Sequence, residues 1–202
     1  MIMQTLLVQT PPRGYMPADM YEYMLVVNPG AEATAQLAEE KLQFYRRYRE
    51  EGAVTTKPLL TVASFTAREA MEETLIRYMH RIVSTRGSFA VMLNNYSGQP
   101  PGEVFIRVQQ PEPFKQLAEA LKAIDHYVRS NGYPAATLIT KPHVTIAGLL
   151  PENVYNKAML DYSQRVFNTT FTVTEMLLLK RKGPFEATKQ VNVFKLMPGI
   201  SH

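Results

Sequence analysis

A nine-residue segment occurs twice in this sequence, and this repeat constrains the fold more than any other feature. Residues 57–65 and 141–149 align without a gap. Lys, Pro, Thr and Ala recur at the same places in both copies, and apolar residues occupy the same alternate positions. An internal repeat bears on architecture before any local pattern does, and two copies are too few for a solenoid. The repeat therefore predicts two similar lobes around a pseudo-twofold axis.

The second copy has the period-two pattern of a β-strand, in which alternate side chains share a face. Val144 and Ile146 are predicted to point into a core. His143 and Thr145 are then expected to lie side by side on the opposite face. The second copy therefore presents an imidazole and a hydroxyl on the face that points away from the core.

The first copy has the same pattern with different chemistry. Leu60 and Val62 are predicted to face the core, and Leu59 and Thr61 the opposite side. This copy therefore offers a hydroxyl and a leucine where the second offers a hydroxyl and an imidazole. The asymmetry between the copies is the main indication of function.

The residues His143-Val144-Thr145-Ile146 resemble the His-x-Thr-x signature of the 2H phosphoesterase superfamily, which includes the bacterial 2'-5' RNA ligase and cyclic phosphodiesterase families. The resemblance rests on the motif, its repeat and the order of predicted elements, and it extends over about residues 20–197. It implies an α+β fold of two pseudo-symmetric lobes, each a small antiparallel sheet backed by two helices, with a central groove. It departs from the family at Leu59, which stands where the first histidine belongs.

The resemblance implies a chemistry for the predicted groove. In the family, two histidines face each other across a phosphate, one as general base and the other as general acid, while threonine hydroxyls bind phosphoryl oxygens. An imidazole suits either role because it titrates near neutrality. By this resemblance His143 and Thr145 are the predicted catalytic residues, with His143 as the single acid–base group. Leu59 cannot transfer a proton, and loss of one such partner typically costs about 10²- to 10⁴-fold in rate.

Other groups are candidates for contact with a substrate. Thr61 and Leu59 are predicted to line the substrate-binding side of the first copy. Lys57 and Lys141 share the strand parity of the motif residues, although each precedes a proline and a plain solvent-exposed role is equally open. Asn95 and Tyr96, in a predicted loop over 95–102, are candidates for the groove rim.

The element pattern supports one bilobal unit. Residues 1–20 contain several prolines and are predicted to form an N-terminal extension, and residues 21–202 a single bilobal domain. The predicted elements are a strand at 21–28, a helix at 31–51, the motif strand at 57–65, a helix at 66–86, strands at 89–94 and 103–109, a helix at 111–129, the motif strand at 136–147, a helix at 151–167, and strands at 171–182 and 190–197.

Composition limits the remaining possibilities. The absence of cysteine excludes a disulfide framework, a cysteine-based zinc site and a thiol nucleophile. No metal site or cofactor is predicted. No apolar run approaches the roughly 18 residues of a membrane span, no signal peptide is evident, and a cytoplasmic location is expected. The net charge of +4 mildly favours an anionic partner.

Three functions stay open at this level. The first is a divergent 2H protein that binds an RNA or nucleotide phosphoester and has weak or altered metal-independent phosphodiesterase activity. The second is a non-catalytic nucleotide- or RNA-binding module. The third is an interaction protein with an apolar groove, which Leu59 favours. The sequence leaves the oligomeric state open.

Overall fold

The computed structural model describes residues 17–100, 102–183 and 186–199. Residues 1–16, most of the predicted extension, lie outside this range. In chain order the elements are β1 (Met20–Val27), α1 (Ala31–Tyr48), α2 (Gly52–Thr55), β2 (Leu60–Arg68), a single 3-10 turn (Glu69–Met71), α3 (Glu72–Val83), β3 (Phe89–Gln99), β4 (Glu103–Val108), α4 (Glu112–Ser130), β5 (Thr137–Leu138), β6 (His143–Ala147), α5 (Glu152–Tyr162), β7 (Asn168–Val173), β8 (Glu175–Arg181) and β9 (Lys189–Lys195).

Two antiparallel sheets form the framework, as the repeat predicts. One sheet has the order β5-β2-β1-β8-β9 and the other the order β6-β4-β3-β7. The two motif strands, β2 and β6, occupy corresponding places, because only the two-residue β5 lies outside β2. The predicted α+β fold of two lobes is confirmed, with the motif strand at the same side of each sheet.

Each sheet is covered by two of the longer helices. Helices α3 and α4 pack together and contact β9, β2 and β5 of the five-stranded sheet, while α1 contacts β6 and β7, and α5 contacts β3 and β4. Helix α1 follows β1 along the chain but packs on the other sheet, so the lobes exchange helices. The buried apolar side chains form one continuous cluster through both lobes. No helix within the described residues is both long and apolar enough to span a bilayer.

The predicted motif strand at 136–147 is divided between the two sheets. Its first part, β5, pairs with β2, and the Ile139 N–H donates to the Val62 carbonyl at 2.9 Å. The chain then leaves this sheet and enters β6 of the other one, and β6 and β2 contact each other. The break coincides with Pro142, which has no N–H to donate to a ladder. One connection thus brings the two copies of the repeat together.

Three other predicted elements differ from the structure. The strand predicted at 171–182 is two strands, β7 and β8, which belong to different sheets; alternation along a chain does not reveal which sheet a strand joins. The helix predicted at 66–86 is shorter, because Thr66 continues β2 and α3 begins at Glu72. The loop predicted at 95–102 is largely strand, since β3 continues to Gln99 past an irregularity at Asn95, whose φ is 55°.

Candidate functional site

The side-chain alternation predicted for the second copy is confirmed. Val144 and Ile146 are fully buried in the core, whereas His143 and Thr145 are partly exposed on the other face of β6. Helix α1 packs against β6, so the buried residues face the helices. His143 and Thr145 consequently project from the side of the sheet opposite to the helices.

Glu103, the first residue of β4, joins the two motif side chains. The Nε2 atom of His143 lies 3.1 Å from Glu103 Oε1, and the Thr145 hydroxyl donates to the same oxygen at 2.6 Å. A strand is predicted to begin at Glu103, but nothing in the sequence marks this residue as part of the site. Strand alternation alone predicts which residues share a face with Glu103 on β4. It does not predict that β4 pairs with β6, and this pairing is what brings Glu103 to His143.

The contact with Glu103 determines which imidazole nitrogen is available for chemistry. The hydrogen bonds from His143 and Thr145 outweigh partial burial and lower the pKa of the Glu103 carboxyl, which is therefore ionised at neutral pH. An ionised carboxylate only accepts hydrogen bonds, so Nε2 of His143 carries the proton in this contact. Nδ1 is then the nitrogen at which a proton is gained or lost.

Two further residues share this face. In the β4–β6 register Phe105 is opposite Thr145, and Arg107 is opposite His143. The Phe105 and His143 rings lie 4.2 Å apart between centroids and are tilted by 34°. Arg107 is exposed. Directly opposed side chains in an antiparallel pair are about 5 Å apart at Cβ, so Arg107 brings a cation beside the imidazole. The sequence analysis identified neither residue.

The first copy has the predicted parity but a shorter strand. Leu60 and Val62 are fully buried, while Leu59 and Thr61 are partly buried. Leu59 lies immediately before β2, and its N–H donates to the Lys57 carbonyl at 2.9 Å. Within the described ranges, no hydrogen bond or ion pair joins Leu59 or Thr61 to the second copy.

The remaining predicted site residues lie outside the motif strands. Lys57 and Lys141 are exposed, ahead of β2 and β6 respectively. The prediction for Tyr96 is wrong: its ring is buried on the helix side, and its hydroxyl donates to Glu40 at 2.5 Å. The irregularity at Asn95 reverses the strand parity and turns Tyr96 inward. The Asn95 side chain is used locally, accepting a hydrogen bond from the Phe167 N–H at 3.3 Å.

A buried lysine binds the backbone of the second copy and the residue that precedes the first copy. The Lys41 ammonium on α1 donates to the carbonyls of Thr145 and Ile146 at 2.9 and 3.2 Å, and to the Thr56 hydroxyl at 3.0 Å. Three donors thus meet three acceptors at the outer edge of β6. Burial lowers the pKa of Lys41 to about 8. Because all three contacts are to the backbone or to Thr56, the side chain positions β6 and does not enter the face with His143.

The described residues include no group of three or more His, Asp and Glu side chains that could hold a metal ion. The groups that the described residues bring together on β6 and β4 are an imidazole on a carboxylate, the Thr145 hydroxyl and a nearby guanidinium. Such a set can transfer one proton and donate hydrogen bonds to anionic oxygens.

The comparisons with known proteins agree with the fold described above. A family model described as the 2'-5' RNA ligase superfamily matches residues 31–184. A crystal structure of Escherichia coli LigT complexed with 3'-AMP has 18% identity and a TM-score of 0.62, covering 88% of this chain and 98% of that chain. A crystal structure of the Thermus thermophilus protein TT0787 has 19% identity and a TM-score of 0.61, with coverages of 88% and 98%.

A second LigT structure, complexed with ATP, has 17% identity and a TM-score of 0.54 and covers 88% of this chain and 99% of that chain. At these identities the likeness shows a shared fold. No curated protein sequence matches this chain.

Proposed function

The chain belongs to the 2'-5' RNA ligase superfamily, and from that premise we propose that it binds an RNA or nucleotide phosphoester between its two motif copies and hydrolyses it slowly. The observation that carries the proposal is the contact of His143 with Glu103 at 3.1 Å, beside Thr145 and on the open face of β6. A base held by a carboxylate is the arrangement that orients an imidazole for proton transfer.

The proposed reaction uses His143 once in each turnover. Nδ1 takes a proton from water, the water oxygen bonds to phosphorus, and the bond from phosphorus to the leaving ribose oxygen breaks. The attacking and leaving oxygens lie roughly in line on opposite sides of phosphorus. One imidazole therefore serves one side only: the leaving oxygen takes its proton from solvent, and the imidazolium releases its own proton to solvent. Leu59 is the reason for the low rate, since it occupies the place of the second acid–base group.

Binding of the phosphate is proposed to use donors from both copies. Arg107 supplies positive charge next to His143, and Thr61 supplies a hydroxyl from the other sheet. The E. coli LigT crystals that contain 3'-AMP, ATP and NADP+ support a nucleotide as the ligand class. The net charge of +4 is also favourable for an anionic ligand.

The test is hydrolysis of 2',3'-cyclic nucleotides and 2',5'-linked dinucleotides by the wild type and by His143→Ala. We expect a slow wild-type turnover that falls by at least about 100-fold in the variant, because the imidazole that accepts the proton from water is removed. His126→Ala is the matched control, since His126 is exposed on α4; its turnover should equal that of the wild type. Equal turnover in all three proteins would refute catalysis at His143.

A non-catalytic binding module is the second candidate, because Leu59 removes one acid–base group while the exposed Arg107 still brings a positive charge beside His143. Saturable binding of a nucleotide without turnover, weakened in Arg107→Gln, would select this candidate. Absence of both binding and turnover would leave the interaction protein with an apolar groove.

A further inference from the structure

A basic cavity lies between α1 and α5, away from the motif strands. Its volume is about 540 Å³, within the range of roughly 300–1,000 Å³ typical of small-molecule sites. The lining residues are mostly polar, and they are Gln43, Arg46, Arg47, Asp161, Tyr162 and Arg165. Three guanidinium groups and one carboxylate therefore surround the space.

This cavity is separate from the site on β6. Helices α1 and α5 cover the face of the four-stranded sheet on which Val144 and Ile146 are buried. His143 and Thr145 project from the other face. A ligand in the cavity and a ligand at His143 would thus be on opposite sides of the same sheet, and the inference below does not depend on the proposed function.

Two of the arginines already have partners close by, and the third has only a weak, exposed pair. Arg47 contacts Asp161 at 2.6 Å, and Arg165 contacts Gln43 at 2.8 Å and Glu40 at 3.3 Å. Arg46 has only a 3.8 Å pair with Glu39, in which both side chains are more than half exposed. Exposed pairs of that kind contribute little, so Arg46 can turn toward an anion at small cost.

Tyr162 supplies an independent indication of a ligand. The residue is 1% exposed, and its hydroxyl has no hydrogen-bond acceptor among the described residues, since its contact with Arg165 is to a donor. The Arg165 guanidinium lies over its ring, 4.7 Å from the centroid. Buried polar groups are almost always hydrogen-bonded, so an unpaired hydroxyl in the wall of a basic cavity calls for an acceptor. Movement of Arg165 toward a bound anion would open access to the hydroxyl.

We propose that the cavity between α1 and α5 binds a phosphate group, with Arg46, Arg47 and Arg165 as its charged ligands and the Tyr162 hydroxyl as a donor. Planar guanidinium groups match phosphate oxygens in pairs of hydrogen bonds, which gives geometric specificity as well as charge. The phosphate can belong to a free nucleotide or to the backbone of a single-stranded RNA, and the chemistry of recognition is the same for both.

The experiment measures affinity of the full chain at low salt for ATP and for a fluorescently labelled ten-nucleotide RNA. Arg46→Gln with Arg47→Gln should weaken binding of the probe by about tenfold or more, since two charge-assisted contacts are removed. The matched control is Arg77→Gln with Arg81→Gln, which removes two arginines from a smaller cavity on α3 and should leave affinity unchanged.

Tyr162→Phe keeps the ring and removes only the unpaired hydroxyl. We expect stability to be unchanged or higher and phosphate affinity to fall about three- to tenfold, a combination that a purely structural role would not produce. If these variants bind both ATP and the RNA more weakly, the phosphate of a free nucleotide is a sufficient ligand. If they bind only the RNA more weakly, the ligand is the phosphate backbone of a single strand. Absence of binding by both probes, or affinity that is unaltered in the double arginine variant, would overturn the proposal.

Discussion

The two copies of the repeat share a backbone plan but differ in chemistry. On β6, His143 and Thr145 meet a carboxylate, an aromatic ring and a facing arginine. On the first copy, Leu59 stands just before β2, and Thr61 is opposite Val26. The apolar positions are buried equally in both copies. The inward faces of the two strands are therefore alike, and the difference between the copies is confined to their outward faces.

The copies are also held in different ways. The outer edge of β2 is covered by β5, through ordinary ladder hydrogen bonds. The outer edge of β6 is covered by the ammonium of Lys41, which takes up two of its carbonyls. Both strands are paired on their inner side, to β4 and β1, but the carbonyls of the histidine-bearing strand also depend on one buried side chain. We therefore expect substitution of Lys41 to destabilise the second copy more than the first.

The largest expected effect comes from restoring the symmetry of the copies. Leu59→His would place an imidazole at the position that corresponds to His143, so that one group can serve the attacking oxygen and the other the leaving oxygen. We expect phosphodiesterase turnover to rise by about 10²- to 10⁴-fold, the usual contribution of a second acid–base group. Initial rates with a 2',3'-cyclic nucleotide measure the effect.

Two controls sharpen this prediction. Leu59→Gln introduces a polar group of similar size that does not titrate, and it should leave the rate near the wild-type value. Leu59→His combined with His143→Ala should lose most of the gain, because the two imidazoles act on the same phosphorus. A folded Leu59→His protein with no gain in rate would contradict the proposed correspondence of the two sites.

The second prediction concerns the edge of β6. Lys41→Met should reduce the free energy of unfolding by about 2–3 kcal/mol, because buried carbonyls of Thr145 and Ile146 lose their donors. Lys57→Met, at an exposed lysine, should change it by less than about 0.5 kcal/mol. Urea denaturation of the three proteins at pH 7 measures both values. Equal stability of Lys41→Met and the wild type would show that β6 needs no such support.

The lowered pKa of Lys41 predicts how the stability difference between the wild type and Lys41→Met changes with pH. Burial lowers the folded-state pKa to about 8 from an ordinary value of 10.5. Between these values the unfolded chain binds more protons at this position, so stability rises with pH in that interval. The margin of the wild type over Lys41→Met should therefore widen from pH 8 to pH 10.5, and a narrowing margin would contradict the lowered pKa.

Much of the fold was predictable because the repeat and the strand alternation are local signals. The inward and outward positions of both copies follow from period two, and the structure confirms them at Val62, Val144 and Ile146. The predictions of element bounds were wrong where the bounds depend on which strands pair in the folded protein. The segment at 171–182 has an uninterrupted strand pattern, yet β7 and β8 join different sheets on either side of Thr174. No pattern within the segment indicates that change of partner.

The site was predictable in part for the same reason. His143 and Thr145 carry a recognisable motif, whereas Glu103, Arg107 and Lys41 come near them only through the pairing of β4 with β6 and the packing of α1. These residues have no local signature, since Glu103 opens an ordinary amphipathic strand and Lys41 lies among many charged residues of a helix. A buried lysine is unexpected from sequence, and it is explained only by the three acceptors around it.

The smallest expected effect tests the carboxylate that distinguishes the second copy. Glu103→Gln keeps the size of the side chain but removes the charge that orients His143 and also opposes a phosphate. We expect kcat to fall by about tenfold with KM unchanged or lower, since positioning is lost while repulsion is relieved. Glu175→Gln is the matched control, because Glu175 is an exposed residue that likewise opens a strand, β8. A rise in KM with kcat unchanged would instead assign Glu103 to substrate binding.

The stability of the same variant has a defined pH dependence. Hydrogen bonds from His143 and Thr145 lower the folded-state pKa of the Glu103 carboxyl. A lowered carboxyl pKa gives a stability contribution that is complete above the unfolded value, near about 4.3, and is lost as pH falls through the folded value. The wild type should thus exceed Glu103→Gln by about 1 kcal/mol at pH 7, and the margin should shrink below about pH 4. A margin that stays constant down to pH 3 would show that the carboxylate does not stabilise the histidine-bearing copy.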